Sequence, residues 1–83
     1  MTIYRIFELH YTSDRYEKDI YYRNKKDAED YMFNRAKELM SKDYGLFILD
    51  KYVDWSKCVR LYSGSSSVVE PEIVISIREI EVR

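Results

Sequence analysis

Only one stretch of this 83-residue chain carries a helical repeat, and that limits the folds open to it. Ala28, Met32, Ala36 and Leu39 recur at three- and four-residue spacing, with Tyr31 on one flank of the stripe and Phe33 and Met40 on the other. Asn24 is suited to cap the start, and Asp27 follows three residues on as a shorter-armed capping box. Asp27, Glu29 and Asp30 set negative charge near the positive helix end. Glu38 and Lys42 stand in the favourable i,i+4 order. Arg35 lies beside the stripe and is expected to reach outward along its stem. Gly45 is the expected stop, as a left-handed residue just past the end.

The rest of the chain alternates like strands. From Ile3 to Tyr11, Ile3, Phe7, Leu9 and Tyr11 share one face with Arg5 intruding, and Tyr4, Ile6, Glu8 and His10 share the other. After the polar turn Thr12-Ser13-Asp14-Arg15, a second strand runs from Tyr16 to Arg23 and completes a hairpin. Leu46 to Val53 reads as a third strand, apolar on both faces at Leu46-Phe47-Ile48-Leu49 and therefore expected at the centre of a sheet. Asp54-Trp55-Ser56 reads as a turn or bulge. A fourth strand, Lys57 to Tyr62, opposes Val59 and Leu61 to Cys58, Arg60 and Tyr62. The segment Ser63-Gly64-Ser65-Ser66-Ser67 is a loop. In the final strand, begun near Pro71, the isoleucines change parity between Ile77 and Ile80, which marks Arg78-Glu79 as a candidate bulge.

This order predicts a single α+β domain over residues 1–83: a two-layer sandwich with a mainly antiparallel sheet of about five strands (β-β-α-β-β-β) and one helix, about residues 25–43, on one face. One helix cannot cover five strands. Nine tyrosines, three phenylalanines and one tryptophan are too many for the core of so short a chain. Some of those rings are expected outside, where tyrosine offers wide contact area, a polar tip and few rotamers to freeze. Fourteen basic and fifteen acidic residues nearly cancel, which argues against a generic basic DNA binder and leaves self-association weakly opposed. No apolar run approaches the ~20 residues of a membrane-spanning helix. A single cysteine, Cys58, and no signal-peptide pattern fit a reducing cytoplasm.

Chemical constellations are weak. His10 with Glu8 forms a potential acid–base pair, but nothing supplies a nucleophile, and an exposed strand histidine is expected. Cys58 sits in a strand pattern as a half-buried, inert thiol. Asp27, Glu29 and Asp30 fit the helix dipole better than a metal, and no calcium-loop motif accompanies them. The serine loop lacks the glycines, lysine and following helix of a phosphate-binding loop. No catalytic residue, cofactor or metal site is expected. Two groups mix cations with aromatics: Lys57 and Arg60 with Trp55 and Tyr62, and Arg23, Lys25 and Lys26 with Tyr21 and Tyr22. Such groups suit a protein interface or single-stranded nucleic acid.

Four segments carry a resemblance: Tyr4-Arg5-Ile6-Phe7-Glu8, Asp19-Ile20-Tyr21-Tyr22, Asn24-Lys25-Lys26-Asp27-Ala28-Glu29-Asp30-Tyr31 and Phe47-Ile48-Leu49-Asp50-Lys51-Tyr52. With an opening hairpin, a lysine–acid–alanine–glutamate helix start and a tyrosine-bearing strand, the first 55 or so residues resemble small phage and prophage proteins. That resemblance implies a protein that acts by sticking to a host protein, such as an antiviral nuclease or a polymerase. The expected function is therefore a non-catalytic, phage-encoded binding module that occludes a host defence factor, a CRISPR nuclease foremost. Tyr16, Tyr21, Trp55, Arg60 and Tyr62 are its expected anchors, and the Ile73–Val82 strand is an expected edge for β-augmentation or for a homodimer. Single-stranded DNA or RNA binding through the same aromatics is the alternative.

Overall fold

The computed structural model describes residues 1–11, 16–42, 45–48, 54, 57–63 and 71–83. The elements are β1 (Thr2–His10), β2 (Tyr16–Tyr22), α1 (Lys25–Lys42), β3 (Leu46–Ile48), β4 (Cys58–Ser63) and β5 (Pro71–Glu81). All strand pairs are antiparallel, in the order β2-β1-β5-β4-β3, and α1 packs across one face of this five-stranded sheet. The fold is α+β, as the order of elements predicted. No described helix is long and apolar enough to cross a membrane.

α1 forms for the reasons its sequence states. Asn24 Oδ1 accepts from the Lys26 and Asp27 N–H groups at 2.8 and 3.4 Å, satisfying donors that the first turn leaves free. Ala28, Met32, Ala36 and Leu39 are all buried. They meet Ile6, Val59, Leu61, Ile73 and Ile75 from three strands in one core, and the small side chains at 28 and 36 let the helix backbone lie close. Lys42 Nζ bonds Glu38 Oε1 at 2.9 Å, as their spacing predicted. Gly45 does not take a positive φ, so the expected left-handed stop is not used there.

Register fixes which side chains share a face. Ile6 opposes Ile20 on β2 and Ile77 on β5. Ile75 opposes Val59, and Leu61 opposes Ile48. These residues line the helix side. Ile3, Arg5, Phe7 and Leu9 therefore point to the other side, although they read as the more apolar set of β1.

Three expectations about strand placement are corrected. β3 lies at an edge, paired with β4 alone; its expected continuation, residues 49–53, lies outside the described residues. There is no bulge at Arg78-Glu79. β1 and β5 pair without a shift from Thr2↔Glu81 to His10↔Ile73, so Ile80 simply lies opposite Ile3 on the helix-free side. The irregularity falls instead between Leu61 and Tyr62, where β4 meets the proline-led start of β5.

The third correction removes the expected edge. β5 is central, held by β1 on one side and β4 on the other, because its isoleucines supply the middle of the core. Val82 N–H donates to Met1 C=O (2.7 Å), so the even residues of β5 turn their backbone groups toward β1. Odd residues turn toward β4, and Ile77 N–H reaches Lys57 C=O at 2.7 Å. Only Glu79 and Glu81 extend beyond β4. Self-pairing there sets Glu79 against Glu79 or Glu81, or Arg78 against Arg78, and like charges directly opposite are destabilising. The Ile73–Val82 strand is thus an inner strand, with only this short stretch beyond β4 among the described residues.

Candidate functional site

The helix-free face is built from rows that run across the sheet. One row joins Tyr21, Arg5 and Arg78; the next joins Asp19, Phe7, Ser76 and Cys58; a third joins Glu17, Leu9, Val74 and Arg60. Ile3 and Ile80 lie beside the first row. Arg5 Nε donates to Asp19 Oδ1 at 2.6 Å, and the guanidinium carbon sits 5.1 Å from the Phe7 ring centre, a cation–π distance. That hydrogen bond to Asp19 pushes the Arg5 pKa up. Arg60 and Arg78 have no ion pair among the described residues. This face thus combines aromatic rings, aliphatic side chains and two guanidinium groups without an ion pair among the described residues.

The five predicted anchors do not form one group. Tyr21 is 57% exposed and stands on the helix-free face. Arg60 is half-buried on the same face, three strands along. Tyr16 pairs with His10 and so belongs to the helix side, where the two rings meet edge-on at 4.8 Å. Tyr62 is only 4% exposed, with the Phe47 ring 6.1 Å away; its surface is already spent inside the protein. Trp55 lies outside the described residues. Sequence reasoning missed Arg5, Phe7, Arg78 and Ile80. Arg5 was legible as the charged intruder in an apolar alternation, and Ile80 as the isoleucine of the wrong parity. Of the described tyrosines, Tyr11, Tyr16 and Tyr21 are exposed, whereas Tyr4, Tyr22 and Tyr31 pack against the core.

The helix side holds a different site. Glu8 is 2% exposed, yet no polar atom of it is orphaned. Arg35 Nε donates to Oε1 at 2.8 Å and Arg35 Nη2 to Oε2 at 3.0 Å, a forked pair from helix to sheet. His10 Nε2 lies 2.5 Å from Oε2; an ionised carboxylate only accepts, so that nitrogen carries the proton. Arg35 Nη1 reaches Glu38 at 3.0 Å. Two sequence expectations fall here. His10 is largely enclosed rather than exposed, and Arg35 turns inward because a buried carboxylate waits for it on β1. Burial alone pushes the Glu8 carboxyl up, but the hydrogen bonds from Arg35 and His10 outweigh it and hold Glu8 below the usual range. Hydrogen bonding to Glu8 raises the Arg35 pKa.

A cleft of about 400 Å³ opens beside this cluster, lined by Lys18, Tyr31, Asn34, Arg35 and Glu38. Its Arg35 and Glu38 are bonded to each other, and Glu38 also to Lys42. Cys58 opposes Ser76 on the helix-free side, so it cannot work with His10 across the sheet. The acids of the helix start are engaged locally: Asp30 with Lys26 at 2.8 Å and Glu29 with Lys25 at 4.0 Å. No family model matches the chain, and no curated protein or solved structure matches it either.

Proposed function

We propose that the chain is a non-catalytic protein-binding module whose helix-free sheet face docks on a partner and blocks it by occlusion. One observation carries this reading: Tyr21, Arg5, Phe7, Arg78 and Ile80 adjoin one another on a face that the only described helix does not cover. Tyr and Arg are the residue types most often found as interface anchors, and a flat sheet holds them with little freedom to lose. The resemblance of the first 55 or so residues to small phage proteins makes a bacterial antiviral-defence protein the target class, a CRISPR nuclease first.

The test uses a panel of purified CRISPR effector nucleases, scored for binding and for DNA cleavage in the presence of the chain. Binding by one of them, weakened at least ~10-fold by Tyr21→Ala with Arg78→Glu, is the expected result. Unchanged binding in that variant removes this face from the reading; no binding across the panel removes the target class.

A second reading rests on Arg60 and Arg78, which have no ion partner among the described residues and share their face with Phe7 and Tyr21. Cations beside rings also fit single-stranded DNA or RNA. It predicts oligonucleotide affinity that falls steeply with salt as counterions are released. A labelled oligo-dT showing no binding at low salt eliminates it.

A further inference from the structure

We propose that β2 pairs with the β2 of a second copy, antiparallel and across a two-fold axis at Ile20, so that two five-stranded sheets become one of ten strands. The proposal concerns the backbone edge of the strand whose Tyr21 side chain also stands on the docking face, and it does not depend on that docking.

β2 ends the sheet, and no described strand covers its outer side. Its outward groups can be assigned. Tyr11 N–H donates to Glu72 C=O and Val82 N–H to Met1 C=O, so the odd residues of β1 face β5 and the even ones face β2. The unbroken register Ile6↔Ile20 then turns the even residues of β2 inward and leaves Glu17, Asp19 and Tyr21 with backbone N–H and C=O groups facing out. The strand is seven residues long and holds neither proline nor bulge, two of the devices that protect natural edges.

Symmetry and charge then select one register. An antiparallel partner must set outward residues opposite outward residues, so only alternate registers are open. Full overlap places Asp19 directly against Asp19. A two-residue slip one way places Lys18 against Lys18 and Glu17 against Asp19. The same slip the other way opposes Asp19 to Tyr21 and Lys18 to Tyr22, and brings Ile20 onto Ile20 at the axis. This last register has no like-charge pair, and it sets Glu17 near the partner's Arg23. Asp19 and Tyr21 of each copy exchange backbone hydrogen bonds, and Ile20 sits in the close, non-hydrogen-bonded position at about 4.5 Å between Cα atoms. A net charge of −1 opposes the approach of two copies only weakly.

Light scattering on the unaltered chain should give twice its 10.1 kDa mass. Tyr21→Pro removes an outward N–H without touching the bonds to β1 and should give the single mass with the same far-ultraviolet circular dichroism. In a Cys58→Ser background, Ile20→Cys should form a disulfide-linked dimer under mild oxidation, and Lys18→Cys at least ~10-fold less, since only position 20 meets itself at bridging distance. These cysteine variants decide the matter if the proline variant does not fold. A single-mass particle for the unaltered chain at about 1 mM, where even weak pairing is populated, overturns the proposal. So does equal cross-linking at positions 18 and 20.

Discussion

On the helix side of the sheet, Ile75 and Val59 are fully buried, and Glu8, the one buried carboxylate among the described residues, is met by both Arg35 and His10. On the other side, their strand neighbours Val74 and Arg60 are half-buried, and Arg78 is exposed with no ion pair among the described residues. Adjacent residues of the same strands thus answer to different demands. The first face is closed by one helix and must satisfy every group it hides. The second pairs Arg5 with Asp19 and Phe7 but leaves Arg60 and Arg78 without an ion pair among the described residues. The division is not complete, since Leu9 is buried on the second face as well.

The sharpest way to break this contrast is a pair of neighbouring truncations on β5. Ile75→Ala should cost about 3–4 kcal/mol in denaturant unfolding, because a filled site becomes a cavity. Val74→Ala should cost less than about 1 kcal/mol. Equal losses would mean that both faces are core. Next in size is Glu8→Ala, which strands Arg35 beside a gap; a loss of about 3 kcal/mol is expected. Replacing both partners, Glu8→Leu with Arg35→Met, should recover most of it. A double variant no better than the single one would show that the pair gives more than mutual compensation.

A smaller effect tests the same cluster by pH. The Glu8 pKa is lower in the folded chain than its ordinary 4.5. Its contribution to stability is therefore fully present above about pH 4.5 and is lost as pH falls through the depressed folded value. Unfolding midpoints measured from pH 6 down to pH 2 should fall less steeply in Glu8→Gln than in the unaltered chain. Parallel curves would assign the acid sensitivity to other carboxylates. Smallest in stability is Tyr21→Ala, expected within about 0.5 kcal/mol of the unaltered protein while costing more than ~1 kcal/mol in partner binding. A stability loss above 2 kcal/mol would place Tyr21 in the core.

Local signals in the sequence carried most of the elements. The Ala28–Leu39 stripe, the Asn24 cap and the parity of Val59 and Leu61 each depend on near neighbours, and each was legible. Strand order was not, because pairing partners are chosen by distant residues. Leu46-Phe47-Ile48 looked central by hydropathy, yet β5 took the middle with longer, better-matched isoleucines. Arg35 and Glu8 are 27 positions apart, so neither shows in isolation that the other will bury it. The candidate site was harder still. Tyr16 and Tyr62 resembled Tyr21 in type and context, and only register and packing place Tyr21 on the helix-free face, Tyr16 on the helix side and Tyr62 inside.

The central place of β5 also governs how the chain reaches its native state. Without residues 71–81, β1–β2 and β3–β4 are two separate ribbons, and a two-stranded ribbon is marginally stable at best in water. The strand that unites them pairs its far end with Thr2, across nearly the whole chain. Such remote contacts slow folding, since loop entropy is lost before any pairing rewards it. During synthesis the helix can form early, but the sheet must wait for its keystone to leave the ribosome, and until then the apolar stripe of α1 has only half a floor to rest on.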